Sequence, residues 1–325
     1  MLRRTGKRAL MLALVLVSLL SPAAAEDGGL IIEEEVEASP FAEEVRVTED
    51  EENGFWEYAS PDLTVSIHRF REEVAGKKNK KKKRTREYCV AEIYASEAQP
   101  LLSVMTDATK KRVAGYKLVS PEILIEKYPA VFAMSDDLYG IRLQKYDYKG
   151  IVIRNGEILA TKTRNSAKRR AWPNLDTLAV YGDGSMKTFV CDALSAEEYL
   201  ARGAVQVFSF GPILISEGEI NPDVLDPDYY PYNEPRVAIG MVEPWYYIAI
   251  VVRGRPDDSY AGVHLDWLAQ KMQEYGCVEA LNLDGGLTAT MMFQGKTIIT
   301  GGGSLRSQGS LIEFGALSGM NSEEE

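Results

Sequence analysis

The chain has 325 residues, 37 of them basic and 48 acidic, for a net charge of −11. That balance argues against nucleic acid as the main partner, because binding phosphate backbones needs a net positive surface. Three cysteines, Cys89, Cys191 and Cys277, close one disulfide at most and have no paired zinc-site spacing. Each lies in an apolar segment and reads as a buried free thiol. The length suits one large domain or two small ones.

Arg3, Arg4, Lys7 and Arg8 precede a run from Ala9 to Leu20 that is apolar apart from Ser18, and Ala23-Ala24-Ala25 follows. This pattern predicts a signal peptide over residues 1–25, too short in its apolar part for a stable membrane span. Its removal takes four basic groups and no acid, so the net charge moves from −11 to −15. No later segment is apolar enough to cross a bilayer, so a secreted or envelope-associated protein is expected. Residues 26–60 are acidic and poor in large apolar groups, and read as a flexible leader. A single domain is expected over 61–318, and an acidic tail over 319–325.

Leu63, Val65 and Ile67 alternate as in a half-buried strand, and Tyr88 to Tyr94 reads as its hairpin partner. Between them, eight of the ten residues Lys77 to Arg86 are basic. A solvated loop tip is expected there, with an anchor for anionic polymer as the alternative. Pro121 to Tyr128 predicts a helix with proline in its first turn. Ala130 to Met134 reads as a buried strand running into Ser135-Asp136-Asp137. Asn155-Gly156 between apolar runs predicts a tight hairpin, and Gly182-Asp183-Gly184 another. Ser195 with Glu198 has the spacing of a capping box. Val205 to Ile215 reads as a strand interrupted at Gly211-Pro212, and residues 221–235 as a long loop.

Arg236 to Gly240 begins a strand, and Tyr246 to Val252 is apolar throughout, as in a strand buried on both faces. Leu265, Leu268, Ala269 and Met272 have helical spacing, with His264 at the start and Gly276 as the C-cap. Val278 to Leu283 reads as a strand. The three elements predict a strand-helix-strand crossover that puts Arg253 and Asp284 at the same end of two parallel strands, where α/β folds bind ligands. At that point Asp284-Gly285-Gly286 places a carboxylate before two glycines, which let backbone approach a ligand closely. Gly301-Gly302-Gly303-Ser304 offers a weak anion-nest signal and reads first as a surface loop.

These motifs occur in a recognisable order: Gly150 to Glu157, Phe208-Ser209-Phe210-Gly211-Pro212, Pro235-Arg236-Val237-Ala238-Ile239-Gly240 and Ala280 to Met292. Together they resemble the phosphodiester glycosidase family, over roughly Leu63 to Phe314. The resemblance implies an α+β domain on mixed β-sheet. It also implies hydrolysis of a sugar-1-phosphodiester on cell-surface or extracellular glycans, with bacterial members linked to exopolysaccharide.

By the resemblance, Asp284 with Gly285 and Gly286 matches an Asp-Gly-Gly motif, Arg236 a Pro-Arg, and Asp137 the acid of an Asn-Gly-Asp. Arg255 matches the Arg of an Asp-Gly-Arg, and Arg306 with Ser307 a late Arg-Ser pair. Here Ser135-Asp136 stands in place of that Asn-Gly, Arg253 in place of the acid before Gly254, and Ser310 in place of a late Asp. Glycosidic cleavage needs carboxylates at the anomeric carbon, and a phosphodiester leaving group needs cations more than a proton donor. On that chemistry Asp284 and Asp137 are the expected catalytic carboxylates, with Asp136 as a substitute for Asp137. Arg236, Arg306, Gly285, Gly286, Thr288, Arg253 and Arg255 are the expected substrate contacts. No cofactor and no metal are expected. The alternative is a catalytically weakened member that binds anionic glycans.

Overall fold

Tyr246–Val252 is apolar at every position, and the structure covers both of its faces. The computed structural model describes residues 39–75, 83–106, 118–137, 150–163, 172–254 and 259–316. In chain order the strands are β1 (Arg46–Asp50), β2 (Phe55–Ala59), β3 (Thr64–Ala75), β4 (Lys83–Tyr94), β5 (Leu102–Met105), β6 (Ala130–Ser135), β7 (Val152–Arg154), β8 (Glu157–Ala160), β9 (Thr177–Tyr181), β10 (Met186–Phe189), β11 (Ala204–Ser209), β12 (Ile213–Ser216), β13 (Glu219–Ile220), β14 (Arg236–Glu243), β15 (Tyr246–Val252), β16 (Glu279–Asn282), β17 (Thr290–Phe293), β18 (Lys296–Thr300) and β19 (Ser310–Ala316). Four short α-helices accompany them: α1 (Pro121–Lys127), α2 (Ala196–Ala201), α3 (Pro222–Leu225) and α4 (Leu265–Glu274). None of the described helices is long and apolar enough to cross a membrane.

A nine-stranded sheet runs β1-β2-β3-β4-β15-β14-β16-β12-β13. Two five-stranded sheets, β10-β9-β11-β7-β8 and β18-β17-β6-β19-β5, complete the fold. Tyr247, Ala249 and Val251 of β15 face a core shared with Phe132 and Phe314 of one small sheet and Phe208 of the other. Ile248, Ile250 and Val252 face the opposite way, onto Leu265, Leu268 and Met272 of α4. Each fully buried side chain of this size contributes roughly 1.5–3 kcal/mol. The helix exists to cover that face: its apolar stripe is Leu265, Leu268, Ala269 and Met272. His264 caps it, and Gly276 leaves it at φ +82°.

The expected mixed sheet is corrected, because every pairing between the described strands is antiparallel. β15 and β16 do point the same way across α4. They are not neighbours, since β14 lies between them and runs antiparallel to both. The leader reading also fails over Arg46–Ala59, which forms β1 and β2 at the sheet edge. Likewise residues 221–235 are not wholly loop, because Asn221 caps α3.

Other local signals hold. β3 and β4 pair from Thr64↔Tyr94 to Ala75↔Lys83, so Lys83–Arg86 belong to a strand; residues 76–82 lie outside the described residues, as do 1–38 with the signal-peptide reading. Asn155 and Gly156 turn the β7–β8 hairpin at φ +50° and +80°. Both capping-box bonds form at Ser195, at 2.7 and 3.2 Å. All three cysteines are buried, and no disulfide joins any of them among the described residues. Burial pushes the Cys89 thiol up to about 12, which keeps it protonated and inert.

Candidate active site

Three chain segments far apart in sequence meet where β6, β14 and β16 begin or end. β6 is buried at every residue and delivers Asp136 and Asp137. β16 is equally buried and delivers Asp284 just past Leu283. Main-chain bonds join the segments: Asp284 N–H donates to the Asp136 carbonyl at 3.1 Å, Leu283 N–H to Val237 at 2.8 Å, and Gly286 N–H to Pro235 at 3.0 Å. At Gly285 a Cβ would collide with the Pro235 carbonyl oxygen and lie 3.2 Å from the Arg236 Cα. Gly286 has φ +63°. The two glycines therefore let the turn lie flat against Pro235-Arg236.

Asp284 is half-buried. Thr288 Oγ1 lies 2.6 Å from its Oδ2 and 2.5 Å from the Gly285 carbonyl, so one hydroxyl proton serves one or the other. Thr290 is fully buried and supports the turn from below. Its N–H donates to Ser135 Oγ at 3.2 Å, and Gln308 Nε2 donates to the Thr288 carbonyl at 2.9 Å.

Asp137 has no exposed surface. Its carboxylate pairs with Arg154 Nη2 and accepts from Ser209 N–H at 2.5 Å. Asp136 accepts from Ser310 Oγ at 2.5 Å and lies 3.4 Å from the same Arg154 nitrogen. Arg154 is itself 3% exposed. It also donates to the Val207 carbonyl at 2.7 Å and lies 4.2 Å over the Phe208 ring. The expected second catalytic carboxylate is thus turned inward, onto a buried cation.

The expected arginines divide. Arg236 is buried, with Nη2 donating to the Tyr232 carbonyl at 2.9 Å, Nε to Val263 at 3.3 Å, and the guanidinium near the Trp172 and Tyr230 rings. Its backbone lines the Asp284 turn while its side chain runs into the 229–235 loop. Arg253 turns to Glu87 at 3.1 Å and stacks on Tyr260 at 3.8 Å. Its neighbour Gly254 bonds Gly301, which packs on Gly286. Arg306 is exposed and makes no hydrogen bond or ion pair among the described residues. Arg255 lies outside the described residues.

The sequence pointed to Asp136 and Ser310 but not to Arg154, whose signal was a lone charge closing the apolar run Ile151-Val152-Ile153. It also missed Asn282, whose Nδ2 donates to the Gly211 carbonyl at 3.0 Å while its side-chain Oδ1 stays buried without a partner among the described residues. Gly211 admits no Cβ because Asn174 occupies that space. No three His, Cys, Asp or Glu side chains converge as metal ligands among the described residues.

Comparison with solved structures gives the zebrafish N-acetylglucosamine-1-phosphodiester α-N-acetylglucosaminidase catalytic domain, auto-inhibited by its pro-peptide. It matches at TM-score 0.59 and 17% identity, over 79% of this chain and 84% of that one. A Synechocystis protein matches at TM-score 0.48 and 12% identity, over 85% and 64%. No curated protein matches. The first likeness establishes the fold. The family's own sequence pattern extends over residues 128–312, from the strand that delivers Asp136 through the Asp284 turn to β19. With more than half of its length inside that pattern, the chain belongs to the phosphodiester glycosidase family.

Proposed function

We propose that the protein is an extracytoplasmic hydrolase that cleaves a sugar-1-phosphodiester on a glycan, with Asp284 as the carboxylate at the anomeric carbon. The observation that carries this is the state of Asp284. It is the half-buried acid of the three, oriented by Thr288 and held on a glycine turn that brings backbone close to any ligand. Asp284 acts as nucleophile or as general base. Asp137 acts through position: its ion pair with Arg154 fixes the end of β6, and with it the carbonyl that holds Asp284 N–H. A phosphodiester is a good leaving group, so one working carboxylate with cationic help suffices. Arg306, exposed two residues before Gln308, is a cation with a side chain open to phosphate.

The test is release of free sugar from synthetic sugar-1-phosphodiesters. Asp284→Asn is expected to lower kcat by about 10³-fold or more, the scale of losing a group that acts in the transition state. Turnover unchanged in Asp284→Asn rejects the assignment. The complete burial of Asp137 favours a second reading, a weakened member that holds anionic glycans. In that case the same substrates bind, more weakly at high salt, and no sugar is released.

A further inference from the structure

A pocket of about 300 Å³ opens beneath the β14–β15 turn, lined by Trp245 and Tyr181 together with Pro100, Leu102 and Glu97. It is remote from Asp284. β14 starts at Arg236 beside the Asp284 turn and Trp245 lies beyond its far end, on the order of 30 Å away at strand rise. Pockets of this size with apolar walls and a few polar groups are ligand sites as a class.

The walls are built, not incidental. The Trp245 ring lies so close to Gly184 that no Cβ fits there. Trp245 N–H donates to the Gly184 carbonyl at 3.3 Å, its own carbonyl accepts from Ala95 at 2.8 Å, and Tyr247 OH donates to Gly184 at 2.7 Å. The indole is therefore a fixed platform. The floor is equally rigid: Gln206 Nε2 donates to Asn155 Oδ1 at 2.5 Å, and Gln206 Oε1 accepts from Asn155 N–H at 2.9 Å. With Asn155 Nδ2 donating to the Ser103 carbonyl at 3.0 Å, those groups are spent within the wall, which offers little to a polar ligand.

The mouth is different. Glu97 is exposed there, and the lining contains no Lys, Arg or His. Phosphates and acidic sugars are repelled by that charge. Burial pushes the half-buried Tyr181 phenol up, so it stays a hydrogen-bond donor. At Gly182 nothing lies within 4 Å of a would-be Cβ, which leaves its backbone open to a ligand.

We propose that this pocket is a second, non-catalytic site for one uncharged sugar ring of a glycan chain. The ring's C–H face stacks on the Trp245 indole, and its hydroxyls meet Glu97, the Tyr181 OH and the Gly182 backbone at the mouth. The two ends of the molecule then take opposite chemistries: neutral sugar here, anionic diester at Asp284. The proposal does not rest on turnover at Asp284. A polymer held at both sites gains effective concentration from the first contact for the second.

The test is calorimetric titration of the full chain with three uncharged trisaccharides: maltotriose, cellotriose and N,N',N''-triacetylchitotriose. Saturable binding of at least one is expected, unaffected by Asp284→Asn and not competed by glucose 1-phosphate. Trp245→Ala and the cavity-filling Leu102→Trp should each weaken it about tenfold or more, as for loss of a central aromatic anchor; melting curves report which variants are folded, and one folded variant suffices. No saturable binding by any of the three sugars overturns the proposal. So does binding retained in either variant when it is folded, or binding lost in Asp284→Asn.

Discussion

Glu313 lies in the middle of β19, between Ala133 of β6 and Leu102 of β5, and is 3% exposed. Its Oε2 has no partner. Burial alone pushes its carboxyl up from 4.5 to about 8. At pH 7 the folded chain therefore holds a proton that the unfolded chain releases. The unfolded state binds fewer protons than the folded state between pH 4.5 and 8, so stability falls as pH rises through that window and levels off above 8. At pH 7 the cost is roughly 3 kcal/mol, at about 1.4 kcal/mol per pH unit above the ordinary carboxylate value. Glu313→Gln keeps the shape and removes the titration. Urea unfolding of both proteins at pH 5, 6, 7 and 8 isolates the group, because every other titrating residue is common to the pair. The stability of the variant relative to the parent should rise by roughly 3–4 kcal/mol from pH 5 to pH 8. A difference that stays constant across the four pH values refutes the reasoning, and with it the protonated state of Glu313.

Arg154→Met removes the cation shared by Asp137 and Asp136, so a loss of about 3–5 kcal/mol is expected at pH 7. Chemical unfolding at pH 7 reads the loss, and a variant as stable as the parent contradicts it. Gly285→Ala sets a methyl against the Pro235 carbonyl, and should cost about 1–3 kcal/mol and abolish sugar release; a crystal structure with an unshifted turn contradicts it. Ser195→Ala breaks the capping box of α2 and should cost about 1 kcal/mol with sugar release unchanged. Thermal melting and the sugar-release assay decide that case.

Much of the local structure was legible because it rests on nearest-neighbour chemistry. Asn155-Gly156 and Gly276 take a left-handed backbone that few other residues tolerate, and Ser195 with Glu198 supplies the side-chain bonds of a helix cap, so their elements can be read off directly. β15 was legible because an apolar run of seven residues has to be covered twice. Long-range order was not. Nothing in Arg236–Glu243 announces that it inserts between β15 and β16, since strand order is decided by which hairpins pack together. β1 was invisible for the opposite reason: Arg46–Asp50 is almost wholly exposed and held by main-chain bonds to β2, so it has no apolar period to detect. At the site, the sequence grouped Asp137 with Asp284 as equals. Their difference is one of direction, set by Arg154 on a strand eighteen residues beyond Asp136.

The bonds that join Asp136, Pro235 and the Asp284 turn run from peptide to peptide. A joint of that kind does not register which side chains it displays. The half-buried Leu287 side chain takes no part in those bonds, so that position can be exchanged while the three strand ends stay in contact, whereas Gly285 cannot. The scaffold is thus a socket whose fittings are separable from its walls. A polar residue at position 287 is a change of chemistry alone, and a panel of such variants would retune the site without remaking the fold.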